Sequence, residues 1–323
     1  MDRRSFVGMM ATAGLPVSAS FPLGSAGKPL EAVATMLLWP GRPPGGQELA
    51  LKLQIEERSP NPDAFHDRVL TGIGHPALHV FSPELPGGAA LLIAPGGGYR
   101  ELAIDAAIAA AKHFASAGIT SFVLVYRLPR EGWRDSTLVP LQDAMRAMRL
   151  VRASAARFNI DSGRVGVLGF SAGGHLAATL ATRGDASVYA GIDAVDRESA
   201  TPAFAALLYP VITMLPPFAH EASREMLLGD VAPRAERAAW ACERHVGPGT
   251  PPMFLAAAAD DPYVAPDNSL LMFAALRRAR IPAELHMFEQ GGHGFGLGAT
   301  GQPVSSWPGL LRNWLAFHRF VRD

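Results

Sequence analysis

Apolar residues along the chain gather into short continuous runs that alternate with stretches of helical periodicity. The runs predict strands at Ala77–Phe81, Ala89–Ile93, Thr120–Tyr126, Arg164–Gly169, Phe204–Tyr209, Met253–Ala258 and Ala283–Phe288. Most lack an apolar/polar alternation, which is the pattern of strands covered on both faces. Between them the spacing predicts helices over Ile104–Ala117, Leu141–Phe158, Gly174–Ala181, Asn268–Arg278 and Trp307–Val321. In the second of these Leu141, Ala144, Met145, Met148, Val151, Ala155 and Phe158 share one stripe, while Asp143, Arg146, Arg149 and Arg152 lie off it. Strand and helix in alternation predict an α/β architecture: a mostly parallel central sheet with helices on both faces. Residues 27–323 read as one domain. The alternation breaks over residues 211–252, where prolines and Gly229 separate weakly helical pieces, so this stretch is expected to be a small insertion over the C-terminal ends of the strands.

The first residues follow a different rule. Arg3-Arg4 precedes Ser5-Phe6-Val7 and a small-residue apolar run from Gly8 to Ala19, the order of charge and hydrophobicity found in a twin-arginine-type export signal. Residues 1–26 are therefore expected to be a leader, and the mature domain to be periplasmic or secreted. No later apolar run reaches the ~18 residues needed to span a bilayer. Acidic and basic residues balance at 29 each, which gives no electrostatic reason to expect nucleic acid or an anionic membrane as partner. Cys242 is the single cysteine, so neither an intrachain disulfide nor a thiolate zinc cluster can form, and the residue is expected to be structural.

Three loops carry candidate chemistry, each at the end of a predicted strand. Val165–Gly169 runs into Phe170-Ser171-Ala172-Gly173-Gly174 and then into helix-forming residues. A G-x-S-x-G sequence in a strand-turn-helix setting lifts its central hydroxyl clear of the sheet at a helix N-terminus, so Ser171 is the candidate nucleophile. His175, one turn into that helix, is expected to pack or hydrogen-bond. Upstream, Ala90–Ala94 ends in Pro95-Gly96-Gly97-Gly98-Tyr99. Backbone amides unobstructed by side chains can be aimed at an oxyanion, and Gly97, Gly98 and Ala172 are the candidate donors. The competing phosphate-loop reading lacks the third glycine of a dinucleotide fingerprint and the Lys-Ser/Thr pair of a P-loop. Downstream, Phe254–Ala259 runs into Asp260-Asp261, and Leu285–Glu289 runs into Gly291-Gly292-His293-Gly294. A neutral imidazole can take a serine proton and return it to a leaving group, held in the right tautomer by a carboxylate. His293 is the candidate base and Asp261 the preferred acid; Asp260 is the alternative, or a support for the loop.

With these segments, Pro95–Tyr99, Gly169–Ala177, Asp260-Asp261 with Asn268-Ser269-Leu270, and Gly291–Leu297, the chain resembles a bacterial α/β-hydrolase family that contains acetyl xylan esterases and bifunctional carbohydrate feruloyl/acetyl esterases. The resemblance extends from about Leu38-Trp39-Pro40-Gly41 to the C-terminus. Pro95 stands where the related HGGG loop of lipases and esterases has histidine, and Ala106-Ala107-Ile108 stands where relatives often carry a Lys-Glu-Gly-like stretch. The resemblance implies an α/β-hydrolase fold, no cofactor or metal, Ser171, Asp261 and His293 as catalytic triad, and a small-molecule or oligosaccharide ester as substrate. Deacetylation of xylan-type fragments is the function it favours. A broad short-chain carboxylesterase or lipase-like enzyme is the alternative, followed by a non-catalytic ligand-binding protein, against which the intact set of Ser, Asp and His speaks.

Overall fold

The computed structural model describes residues 32, 34–46 and 49–321; the leader expected over residues 1–26 lies outside them. In chain order the elements are β1 (Ala34–Leu37), β2 (Gln54–Glu57), β3 (Arg68–Thr71), β4 (Ala77–Phe81), β5 (Ala90–Ala94), β6 (Leu102–Ala103), α1 (Ile104–Ser116), β7 (Thr120–Val125), α2 (Val139–Ala153), β8 (Val165–Phe170) and α3 (Ala172–Arg183). They continue with β9 (Ala205–Leu208), α4 (Glu221–Leu228), α5 (Arg234–Ala239), β10 (Met253–Ala258), α6 (Asp267–Arg278), β11 (Ala283–Phe288) and α7 (Trp307–Phe317).

Among the described residues eight strands form one sheet in the order β1-β4-β7-β5-β8-β9-β10-β11. Strands β7, β5, β8, β9, β10 and β11 are parallel, and β4 and β1 add an antiparallel edge. Every residue of β5, β7, β8, β9 and β10 is buried, as the unbroken apolar runs predict. Helices α1 and α7 share one face, where the Phe114 ring meets Trp307 at 5.9 Å, and α2, α3 and α6 cover the other. This is the α/β-hydrolase fold. The chain leaves β5 for β7 on one side and returns to β8 on the other, so the carboxyl ends of β5 and β8 flank a crevice at the point where the order reverses, the usual place for a ligand in such sheets.

A second, three-stranded antiparallel sheet, β2-β3-β6, was not predicted by the sequence pattern. Its strands are two to four residues long and are set by pairing rather than by periodicity. It adjoins the glycine loop, since Gly96 and Ala103 form a β-bridge and Arg58 bonds Glu101 at 2.6 Å.

The predicted helix over Leu141–Phe158 is two elements: α2 ends at Ala153, and a 3₁₀ turn follows over Ala155–Phe158, closed by Asn159 at φ 52°. The helix predicted to Val321 stops at Phe317. Two residues of the polar side of α2, Asp143 and Arg146, are buried rather than solvated. Asp143 is fully buried and accepts Trp39 Nε1 at 2.8 Å, Arg127 Nη2 at 2.8 Å and the Arg127 amide at 2.9 Å. Arg127, itself fully buried, also donates to the Pro44 carbonyl at 2.6 Å, and Arg146 donates to the Leu38 carbonyl at 2.8 Å and pairs with Asp193 and Asp196. The segment around residues 38–44 is thus tied across β7 and α2 through charge-assisted hydrogen bonds. Among the described residues no helix is long and apolar enough to cross a membrane.

Breaking a buried pair strands the surviving charge, which typically costs about 3–5 kcal/mol. Asp143→Ala, which takes the carboxylate away from both Arg127 and Trp39 Nε1, should lower the unfolding free energy by about that amount in urea titrations. A loss below about 1 kcal/mol would show that this network does not hold the segment down.

Candidate active site

Ser171 joins β8 to α3 as the residue between them, with φ 52° and ψ −118°, a conformation sparsely populated by residues with a side chain and worth about 1–3 kcal/mol of strain. Its neighbours permit it by having none. A Cβ on Gly169 would lie 2.2 Å from the Gly173 carbonyl oxygen, and one on Gly173 would lie 2.2 Å from the Ala94 carbonyl oxygen at the end of β5. The strained residue is clamped by its backbone: the Ser171 amide donates to Leu208 O and its carbonyl accepts from Val211 N, both at 3.0 Å.

The loop after β11 reverses through Gly292 and Gly294, both at positive φ, and presents His293 between them. His293 Nε2 lies 2.9 Å from Ser171 Oγ and its Nδ1 lies 2.7 Å from Asp261 Oδ2. A carboxylate only accepts, so Nδ1 carries the proton and the Nε2 lone pair faces the serine hydroxyl. Burial by itself would raise the Asp261 carboxyl, but hydrogen bonds from His293 and from the amides of Val264 and Tyr263 outweigh it and hold this group below its ordinary value. Those two amides reach Asp261 Oδ1 at 2.9 Å each. Asp260 points the other way and accepts the Gly292 amide at 2.8 Å, the supporting role that the sequence left open for it. Three side chains 122 residues apart in sequence at their widest are thus in direct contact.

The glycine loop borders the same hydroxyl. A Cβ on Gly96 would lie 3.2 Å from Ser171 Cβ. The Gly96 carbonyl accepts Ala103 N at 3.0 Å, and the Gly97 carbonyl accepts Arg100 N at 3.0 Å and Glu101 N at 3.2 Å. Because a trans peptide sets N–H opposite to C=O, the amides of Gly97 and Gly98 point away from that turn. Among the described residues neither these amides nor that of Ala172 donate to a backbone acceptor. The Ala172 amide opens α3, so its partial positive charge adds to the helix N-terminus. Such a site can take the proton of an alcohol, direct that oxygen at a carbonyl carbon and receive the charge that develops on the carbonyl oxygen.

Several neighbours carry no sequence signal that marks them. Tyr209 is buried with its ring 5.1 Å from that of His293, whereas Tyr263 is 70% exposed, edge-on to the same imidazole at 6.1 Å. His220, in the segment between β9 and β10, bonds Ser223 at 2.7 Å, and a Cβ on Gly98 would lie 3.8 Å from that Ser223 hydroxyl. Burial lowers His220 below the ordinary imidazole range; the nearby His293 adds to this and Asp261 opposes it. Only the break in strand-helix alternation hinted that this segment bears on the site. Cys242 is buried against Thr179, and burial pushes its thiol up to about 12, which makes it inert as a nucleophile. His175 is buried and bonded at both ring nitrogens, as expected.

A family model described as BD-FAE matches residues 89–276, a stretch that includes the glycine loop, Ser171 and Asp261 and stops short of His293. The chain is similar to an acetylxylan esterase of Xylanibacter ruminicola, 32% identical over 254 residues that cover 76% of this chain and 49% of the relative. It is also similar to endo-1,4-beta-xylanase B of Butyrivibrio fibrisolvens, 33% identical over 225 residues that cover 68% of this chain and 34% of the relative. The chain therefore spans between about a third and a half of the length of these two curated relatives. Among solved structures, the acetyl ester-xyloside bifunctional hydrolase from Caldicellulosiruptor lactoaceticus superposes with a TM-score of 0.73 at 33% identity, covering 89% of this chain and 97% of that one. A carboxylesterase of Lactobacillus plantarum, at 24% identity and TM-score 0.64 over 84% of this chain and 99% of that one, shares the fold.

A hydroxyl so placed should react with a fluorophosphonate, and mass spectrometry of the labelled chain should find the adduct on Ser171. Asp261→Asn, which reverses the tautomer preference of His293, should slow labelling by about 10³–10⁴-fold, and Asp260→Ala by less than about 10-fold. Equal slowing by the two substitutions would overturn this division of labour.

Proposed function

The chain belongs to the BD-FAE family of α/β-hydrolase esterases, and we propose that it hydrolyses carboxylic esters by a serine mechanism, removing acetyl groups from xylan-type polysaccharide fragments. The observation that carries this reading is the unbroken chain of contacts from Ser171 Oγ through His293 to Asp261, at 2.9 and 2.7 Å.

Ser171 Oγ attacks the ester carbonyl carbon while its proton passes to His293 Nε2. Asp261 stabilises the resulting imidazolium without taking its proton. The tetrahedral oxyanion is held by the amides of Gly97, Gly98 and Ala172, donors each typically worth about 10²–10³ in rate. Collapse breaks the bond to the sugar oxygen, which leaves as an alcohol with the proton from Nε2. Water then gives a proton to His293, attacks the acyl-enzyme, and releases acetate as the proton returns to Ser171.

Support for a saccharide as the alcohol part comes from two directions. The Caldicellulosiruptor relative is named for an acetyl ester and a xyloside, and the Xylanibacter relative for acetylated xylan. At the site itself the exposed Tyr263 ring beside His293 offers an aromatic face with a polar tip, a surface suited to a sugar ring. Export by the leader expected over residues 1–26 fits a polymer that is met outside the cytoplasm.

Purified protein should release acetate from acetylated xylo-oligosaccharides and should turn over p-nitrophenyl acetate at least about 100-fold faster than p-nitrophenyl palmitate. Ser171→Ala should lower kcat on both acetylated substrates by at least about 10⁴-fold. Turnover of the long-chain ester with no acetate from the oligosaccharides would sink the substrate assignment, and full activity of Ser171→Ala would sink the mechanism.

A further inference from the structure

Tyr99 is the first residue with a side chain after three consecutive glycines, and it stands at φ 62° with its ring almost wholly buried. Its hydroxyl lies 2.8 Å from His175 Nδ1, and His175 Nε2 lies 2.8 Å from the carbonyl oxygen of Trp240. These three residues come from the glycine loop, from the first turn of α3 beyond Ser171, and from the end of α5 in the segment over the strand ends. Burial lowers His175 to about 4, with the Trp240 carbonyl opposing and Arg183 adding to the fall, so the imidazole is neutral. Burial likewise raises Tyr99, which remains a phenol.

The direction of every proton in the chain follows. The Trp240 carbonyl can only accept, so Nε2 carries the imidazole hydrogen. Nδ1 must then accept, and the Tyr99 hydroxyl donates to it. A second phenol anchors the loop at its other end, where Tyr126 donates to the Pro95 carbonyl at 2.9 Å. Between the two anchors stand Gly96, Gly97 and Gly98, the most conformationally free sequence possible, whose backbone bonds run through the carbonyls of Gly96 and Gly97, and two of their amides are the proposed oxyanion donors. Such donors stabilise a transition state only if they are oriented before the charge forms.

We propose that His175 is a positioning residue for ester hydrolysis: by accepting the Tyr99 hydroxyl it holds the loop so that the amides of Gly97 and Gly98 face the oxyanion, and by donating to Trp240 it docks the segment over the strand ends onto the same helical turn. The inference rests on the ester-hydrolysis reading above. Its signature is a loss confined to the transition state, because His175 and Tyr99 are buried and touch no substrate.

The test compares Tyr99→Phe, His175→Asn and His175→Gln with the parent chain, using p-nitrophenyl acetate for kcat and KM and phenylboronic acid, which forms a tetrahedral adduct with a reactive serine, for transition-state affinity. Tyr99→Phe should lower kcat by about 10- to 100-fold with KM within about 3-fold, and should weaken boronate inhibition by a similar factor. An Asn side chain brings its oxygen near the place of Nδ1 and can still accept from Tyr99, whereas Gln reaches the place of Nε2 and can only keep the bond to Trp240. His175→Asn should therefore retain kcat within about 5-fold of the parent while His175→Gln falls like Tyr99→Phe. If Tyr99→Phe does not fold, this Asn/Gln comparison decides alone. Unchanged kcat and boronate affinity in Tyr99→Phe, a loss in KM only, or an equal fall in the two His175 variants would overturn the role while leaving the esterase reading intact. A parent chain with no Ser171-dependent esterase activity would overturn both.

Discussion

The crowding beneath Ser171 governs the rest of the site. Gly169 and Gly173 bring two stretches of backbone closer than any Cβ would allow, and Gly173 also rests on the Ala94 carbonyl at the end of β5. The strained φ of Ser171 is therefore maintained by packing on both sides of the turn, with hydrogen bonds to Leu208 and Val211 holding the peptide groups that flank it. Because the turn sits against β5, the glycine loop that leaves β5 must pass beside the hydroxyl. A side chain at position 173 would separate the strands and carry the loop away with them, so hydroxyl and amides share one steric cause.

Sheet register supplies the remaining partners. β10 and β11 run parallel with Ala258 opposite Phe288, and the pairing continues as Ala259 donates to Phe288 O. Their loops consequently leave the sheet side by side. Asp260 and Asp261 are consecutive, so their side chains diverge: one accepts Gly292 N and shapes the loop that carries the imidazole, and the other accepts the imidazole itself. Two like residues acquire different tasks from their places in one turn.

Much of this was legible in the sequence for a physical reason: strands covered on both faces must be apolar throughout, so Met253–Ala258, buried along its whole length, has the bounds its composition predicts. Ala77–Phe81 and the edge strand Ala283–Phe288 also have their predicted bounds, although they carry His79, Glu284 and His286 among their apolar residues. The three loops with Ser171, Asp261 and His293 stood out because each follows a predicted strand. Less was legible where long-range pairing decides. β2, with Gln54, Glu56 and Glu57, shows no apolar face and exists because β3 pairs with it. Asp143 and Arg146 lie on the polar side of α2 and would be solvated on an isolated helix, but the segment around Leu38 and Pro44 covers them and uses their charge. Nothing local marks His220, or the bond between Tyr99 and His175, since each depends on a contact between distant parts of the chain.

The segment between β9 and β10 is fixed more firmly than its prolines and short helices alone would require. Asn268, fully buried in the first turn of α6, binds it with both the oxygen and the nitrogen of its amide. Its oxygen accepts the amides of Ile212 and Thr213 at 2.8 and 3.0 Å, and its nitrogen donates to the carbonyls of Phe218 and Ala265 at 2.9 and 3.0 Å. Helix α6 directly follows the turn that contains Asp261, while at the far end of the segment Trp240 is held by His175 from the turn after Ser171. The segment is thus bonded to the helical turns that follow the proposed acid and nucleophile. Its movement as a whole would have to break buried, satisfied hydrogen bonds on both, each leaving polar atoms without water to replace their partners. The shape offered to an ester at this end of the sheet is accordingly set by the fold, with Ser223 beside Gly98 and His220 bonded to Ser223, and selection among esters is expected to follow from that fixed shape.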